Sequence, residues 1–240
     1  MGLFDKKTCD ICGEKIGLLG NRKLDDGNMC KDCLKLASPY LTGRKQFTVS
    51  DMKDHLEYRE QNKAKVEAFN PTTTFGTTTK VYLDEGNGLW LVSSSSNYKR
   101  DNPDVMTIDQ VTGCNLDVRE SRTEIRFKKS DGSMASYNPP RYDIDYDFYI
   151  EIFVNSQWFT EIEFKVNSSK IKEINSAEYR NTERQSRDIK EALTKVHGDN
   201  RARVEDAAKP RTSIVCPNCQ ATTLPDESGR CEFCGGATGV

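Results

Sequence analysis

The sequence predicts a mainly β chain with helices, built as small modules around one larger domain. Three observations carry that prediction. Eight of the nine cysteines fall in four C-x-x-C pairs near the two ends, apolar residues alternate in strand fashion through the middle, and charged segments with helical spacing lie between. The expected modules are an N-terminal four-cysteine module (1–47), a charged helix with a threonine-rich linker (48–77), an antiparallel β sandwich or barrel (78–167), a charged helix and tether (168–210), and a C-terminal four-cysteine module (211–240).

Composition agrees with a small core. The 240 residues are 35% hydrophobic and 30% charged, so much of the length is expected to be solvated helix, linker or metal-held module. No run of about 18 apolar residues occurs, and the first residues lack the apolar stretch of a secretory signal. A cytoplasmic location is therefore expected, with the inner face of a membrane as a peripheral option. Lys6 stands where a myristoylation signal wants Ser or Thr, so lipidation is set aside.

The first cysteine set is Cys9, Cys12, Cys30 and Cys33, with 17 residues between its pairs; the second is Cys216, Cys219, Cys231 and Cys234, with 11 between. Both are zinc-ribbon spacings. The two residues inside each pair let the chain turn so that both sulfurs face one point. Gly13 and Gly235 suit the positive φ that such a knuckle demands, and Pro217 stiffens another. Four thiolates complete a tetrahedral shell around Zn²⁺ and leave no position for water or substrate, so two structural zinc ions are expected. Each loaded site carries a charge of about −2, which moves the formal net charge of −2 further negative. A dithiol reading leaves unexplained why the pairs come two by two at ribbon distances.

After Cys33 comes a short polar stretch, then Thr48 with Asp51 three residues on, a capping-box pattern that starts a helix. The helix is expected from about Val49 to Phe69. Val49, Met52 and Leu56, then Val66 and Phe69 further on, supply a weak apolar stripe, and the charged middle, with His55 in it, is read as a wet face. Asn70 to Thr79 reads as linker, ended at its start by Pro71.

Alternation then takes over. Val81 with Leu83, Leu89 to Val92, Leu116 with Val118, Ile125 with Phe127, Phe148 to Val154, and Trp158 to Val166 read as strands. Turn signals stand at Glu85–Gly88, Asn102–Asp104, Ser130–Gly132 and Asn138–Pro140. Cys114, without a local partner, is expected to be a small buried apolar residue. Ile189, Leu193 and Val196 share a helical face that would cover one end of the β domain. The chain from Gly198 to Pro210 reads as a tether.

Chemistry outside the cysteines is sparse. No Walker loop, G-x-S-x-G or H-E-x-x-H occurs, His55 and His197 are expected to be solvated, and no enzyme is expected. Asp143, Asp145 and Asp147 alternate along one segment and are read as a solvated strand edge; Arg122, Arg126, Lys128 and Lys129, interrupted by Glu120 and Glu124, are read as a solvated face.

The opening MGLFDKKTCDICGEKIGLLGNRKLDDGNMCKDC resembles an N-terminal zinc-binding domain of unknown function found in bacterial proteins, where a PH-like domain often follows. The segments VYLDEGNGLWLV, NPDVMTIDQVTGCNLDV and SQWFTEIEFKV are similar to those PH-like domains, which implies about seven strands in two packed sheets closed by a helix. CPNC and CEFCGG resemble generic zinc ribbons by spacing alone. The resemblance implies no catalytic residues, and it implies accessory factors near bacterial membrane-stress systems.

A protein partner is the leading expectation. Nucleic-acid binding through the ribbons is an alternative, but residues 1–40 hold seven basic against six acidic residues and 211–240 two against three, a poor electrostatic footprint. Membrane-surface attachment through the PH-like domain is the other.

Overall fold

A computed structural model describes residues 7–207, 214–224 and 229–238, with the side chains of 195–207 excepted. The chain is mostly β, in open antiparallel sheets, with a few helices, and divides into two compact units, 1–198 and 199–240.

In the first unit the hairpin β1 (Arg22–Lys23) and β2 (Asn28–Met29) leads into α1 (Lys31–Leu36). Ile16, Leu24, Met29 and Ala37 form a small core around Cys9 and Cys33. Helix α2 (Val49–Ala68) starts at the expected place: Thr48 Oγ1 accepts from Asp51 N, and the Asp51 carboxylate accepts from Thr48 N.

Seven strands follow. β3 (Thr73–Phe75), β4 (Lys80–Asp84), β5 (Leu89–Ser93), the short helix α3 (Tyr98–Asp101) and β6 (Met106–Thr107) contribute a four-stranded sheet in the order β3-β4-β5-β6. β7 (Val111–Lys128), β8 (Met134–Val154) and β9 (Glu161–Lys165) form a three-stranded sheet in chain order. Val81, Leu83, Trp90 and Val92 of one sheet share a core with Phe148, Ile150, Ile152 and Ile162 of the other. α4 (Ala177–Ala207) adds Ile189 and Leu193 to it, the stripe anticipated from spacing; the side chains of Val196 and His197 lie outside the described residues. Cys114 is buried in this core, where burial pushes its thiol up to about 11.

Four local expectations need correction. The threonine-rich stretch is not all linker, because Thr73–Phe75 pairs with β4 as an edge strand, a place that suits β-branched threonines. Asn138–Pro140 is no turn: it lies inside β8, where the partner of Ile125 is Arg141 but that of Arg126 is Ser136, so four residues loop out of the ladder as a bulge. Leu116 to Phe127 therefore belongs to one continuous strand. The expected tether is helical through Ala207, and residues 208–210 lie outside the described ones.

The fourth correction concerns α2. Its buried positions are Met52, His55, Arg59, Asn62 and Val66, a perfect one-sided helical spacing of which three members are polar. Met52 packs into the N-terminal module, while Val66 and Phe69 pack with Tyr82, Leu91 and Val105 of the β domain. Between them Arg59 reaches Asp104 Oδ1 at 2.7 Å, and Asn62 donates to Pro103 O and accepts from Val105 N. Ser38 Oγ and Tyr58 OH also donate to Asp104. A polar stripe can be buried here because nearly every donor and acceptor is met.

His55 is thus not solvated but fully buried. Its Nε2 accepts from Ser38 N at 3.0 Å, its ring meets Trp158 edge-on, and Nδ1 finds no partner among the described residues. Burial pushes its pKa down to about 4, with Asp104 opposing and Arg59 assisting. On acidification the unfolded chain, with a histidine near 6.5, takes up the proton first. Stability should therefore be complete above about pH 6.5 and fall toward pH 4, by on the order of 3 kcal/mol from this residue. Urea unfolding of wild type and His55→Gln across pH 4 to 7 checks this: the variant's midpoint should vary less over that window, and parallel curves would refute it.

Candidate metal centres

The two quartets are built from different local devices. Cys9 and Cys12 sit on a knuckle in which Gly13 N donates to Cys9 O at 2.8 Å, with Gly13 at φ +78°. Cys30 and Cys33 instead bracket a helix start: Cys30 is the N-cap of α1, and its sulfur accepts from Cys33 N. The helix N-terminus places backbone N–H groups and a partial positive charge beside a thiolate. In the second unit, β10 (Ile214–Val215) and β11 (Thr222–Thr223) pair behind Cys216 and Cys219. Gln220, at φ +58°, closes that knuckle with a bond from its N to Cys216 O, and Gly235, at φ +67°, closes the Cys231 knuckle in the same way.

Metal fit can be tested on the sulfur separations. With Zn–S bonds of about 2.3 Å, the edge of a regular sulfur tetrahedron is about 3.8 Å. Cys9–Cys33 and Cys12–Cys30 are 3.9 and 3.8 Å apart; Cys216–Cys234 and Cys219–Cys231 are both 3.7 Å. All four sulfurs of each set lie within 4.8 Å of one another. Each quartet is positioned to bind one zinc ion. Four thiolates fill the coordination shell, so the metal would hold the fold and offer no open site for chemistry.

The surroundings favour the thiolate at Cys9, Cys216 and Cys231 and oppose it at Cys12, Cys33 and Cys219. Burial pushes the Cys9 thiol up, but N–H groups of Cys12, Cys30 and Ile11 bring it down to about 7. At Cys231 burial is again outweighed, by N–H groups of Cys234 and Phe233 and by the Thr223 hydroxyl, and the thiol falls to about 6. Cys33 moves the other way, raised by burial. A dication at the centre would favour the charged form at all four sulfurs.

Residues 8–55 match the family model described as Domain of unknown function (DUF4428). That match covers the first quartet, its hairpin and helix, and α2 as far as the buried His55. No curated protein and no solved structure matches the chain.

Other candidate clusters resolve into ion pairs. Glu151, Glu161 and Glu163 converge closely, but the Arg119 guanidinium bonds both Glu151 and Glu163. Two of the alternating aspartates are not a solvated edge, since Lys170 holds the nearly buried Asp145 and Lys165 holds Asp147, while Asp143 is exposed as expected, with Lys172 beside it. β8 has β7 on one side there, and Tyr146 is bridged to Ile171 on the other. Arg122 and Arg126 are exposed as expected, and pair with Glu120 and Glu124. Among the described residues no helix is long and apolar enough to cross a membrane.

Sequence reading missed the reach of the β7–β8 hairpin. The strands pair from Val111↔Val154 out to Lys128↔Met134, whereas β9 backs only Tyr149–Phe153. Residues 121–128 and 134–143 therefore form a two-stranded arm exposed on both faces, roughly 25 Å long at about 3.4 Å per residue. Ile125, Phe127, Met134 and Tyr142 are all exposed on it.

Proposed function

We propose that this chain is a non-enzymatic zinc-binding interaction protein, in which a PH-like β domain lies between two structural zinc modules and the β7–β8 arm is what a protein partner grips. The PH-like reading is supported by seven strands in two antiparallel sheets followed by a helix that covers the shared core. The arm is the observation that carries the interaction reading. A two-stranded ribbon alone is marginal in water, and among the described residues this one leaves both outer backbone edges unpaired and apolar side chains exposed. A partner strand added to either edge would satisfy the backbone, with side-chain pockets supplying specificity.

Its charges are mixed in sign, Arg122, Arg126, Lys128, Lys129 and Arg141 among Glu124, Asp131 and Asp143, which favours a protein surface over a polyanion. The cytoplasm, where thiols stay reduced and free for metal, is the compartment this reading assigns. A bacterial envelope-stress system, implied by resemblance alone, is where the partner is first sought.

The test shortens the arm. Thr123 and Asp143 face each other across the hairpin, so replacing residues 124–142 by Asn-Gly closes a two-residue turn. The shortened protein should keep two zinc ions per chain and its cooperative melting, yet lose the proteins that copurify with the full chain from its native host. Recovery of the same proteins with both forms would reject the arm as the docking element.

A further inference from the structure

Between Cys12 and Cys30 the N-terminal module carries the turn Gly17–Gly20, closed by a bond from Gly20 N to Gly17 O at 2.9 Å. Its two corner residues are Leu18 and Leu19, which are 90% and 91% exposed, the most exposed large apolar side chains among the described residues. The turn is braced. Ile16 is anchored in the module's core, Asn21 donates to the Asn28 side chain, and the Arg22 guanidinium donates back to Leu19 O and Asn21 O. Adjacent leucines held outward on a braced stem gain nothing from the fold, so an external apolar phase is needed to explain them.

The charge around the tip says which phase. From Lys15 to Leu24 the chain has no acidic residue. Lys15 and Lys23 are exposed, as is Lys7, whose backbone carbonyl bonds Ile16 N at the foot of the turn; none of the three forms an ion pair among the described residues. Lys15 and Lys23 stand three and four residues from the nearer leucine, about 10–13 Å of extended chain. That spacing matches an interfacial element whose apolar part enters a bilayer by about 5–10 Å while its cations stay at headgroup level. An apolar protein pocket would bury the leucines equally well but gives the unpaired lysines no partner.

We propose that the Leu18–Leu19 turn is a membrane-surface anchor, inserting its leucines at the acyl boundary of an anionic bilayer while Lys7, Lys15 and Lys23 meet lipid phosphates. Each lysine near an anionic surface adds a modest attraction, and two leucines add a modest insertion, so binding is reversible and salt-dependent. The site is distinct from the β7–β8 arm. An arm-shortened chain should bind vesicles normally, which keeps failure of one reading separate from failure of the other.

Flotation of the full-length zinc-loaded protein with vesicles of equal phosphatidylglycerol and phosphatidylcholine, and with phosphatidylcholine alone, tests the proposal. The protein should float with the anionic vesicles only, and less as salt rises. Leu18→Ser/Leu19→Ser should lower partitioning at least tenfold while keeping two zinc ions per chain, and Lys15→Glu/Lys23→Glu should lower it at low salt. In a Leu19→Trp variant, tryptophan emission should shift to the blue on anionic vesicles, and brominated acyl chains should quench it more than in wild type. No flotation of wild type, unchanged flotation of the double serine variant, or an indole at position 19 that stays in water while the protein floats would each overturn it. A dimer that the serine variant dissolves would overturn it too, by giving the leucines to a second copy.

Discussion

Chelation of zinc is expected to unfold the C-terminal module outright and to open the N-terminal one while leaving the two-sheet domain folded. The difference follows from what each module buries. Around the second quartet the described buried residues are Cys216, Cys231, Thr223 and Thr238, and its strands are two residues each. Among the described residues there nothing resembles an apolar core, so the metal, at on the order of 10 kcal/mol per structural site, supplies most of the module's folding free energy. The first module adds Ile16, Leu24, Met29, Ala37 and Met52, enough to support it in part. Because Met52 belongs to α2, losing the first zinc should also fray the start of that helix. Amide exchange with and without chelator reads this directly. Protection should vanish over 214–238, fall over 8–56 and persist over 80–166; protection unchanged at both ends would reject a structural role for the metals.

The legibility of these features in the sequence depended on their range. Knuckles, the Thr48 capping box and the glycine turns are set within a handful of residues, so spacing and φ requirements reveal them. Even there Gln220 shows that a positive φ need not be a glycine, and α1 escaped notice because Cys30 serves both as ligand and as cap. The β strands were legible where one face is buried, as at Val81 and Leu83 or Ile150 and Ile152. The arm was legible only in its outgoing strand at Ile125 and Phe127 and its turn at Ser130–Gly132; the returning strand was not, because a ribbon exposed on both faces has no buried face to write an alternation. Asn138–Pro140 carries turn chemistry yet serves as a bulge, since the strand resumes its partner beyond it. Least legible was the inner face of α2: Arg59 and Asn62 read as solvent-facing until the segment 102–105, more than 40 positions away, brings their partners, and His55 until Ser38 and Trp158 close over it. Apolar periodicity cannot report a face whose burial rests on hydrogen bonds made elsewhere.

That face also carries the second large effect. Replacing Arg59 by Leu should cost about 3–5 kcal/mol at pH 7, because the Asp104 carboxylate, with no exposed side-chain surface, would keep its charge without its cation. Ser38 and Tyr58 would still donate to it, but two neutral donors do not replace a guanidinium that also bonds Leu36 O and Asn102 O. Asp104→Asn alone should cost less, since Arg59 keeps those carbonyls. In Arg59→Leu/Asp104→Asn the stranded charge disappears, so the double variant should be more stable than Arg59→Leu, a coupling on the order of 2 kcal/mol in a double-mutant cycle. Urea unfolding provides the values, and an Arg59→Leu cost below about 1 kcal/mol would show that the pair is not what holds this face. The cooperativity of unfolding should change with it. Leu36 and Ser38 belong to the N-terminal module, Arg59 lies mid-helix and Asp104 belongs to the β domain, so this one cluster ties three segments together. Without it, calorimetry should resolve the N-terminal module and the β domain as separate transitions where the wild type shows one.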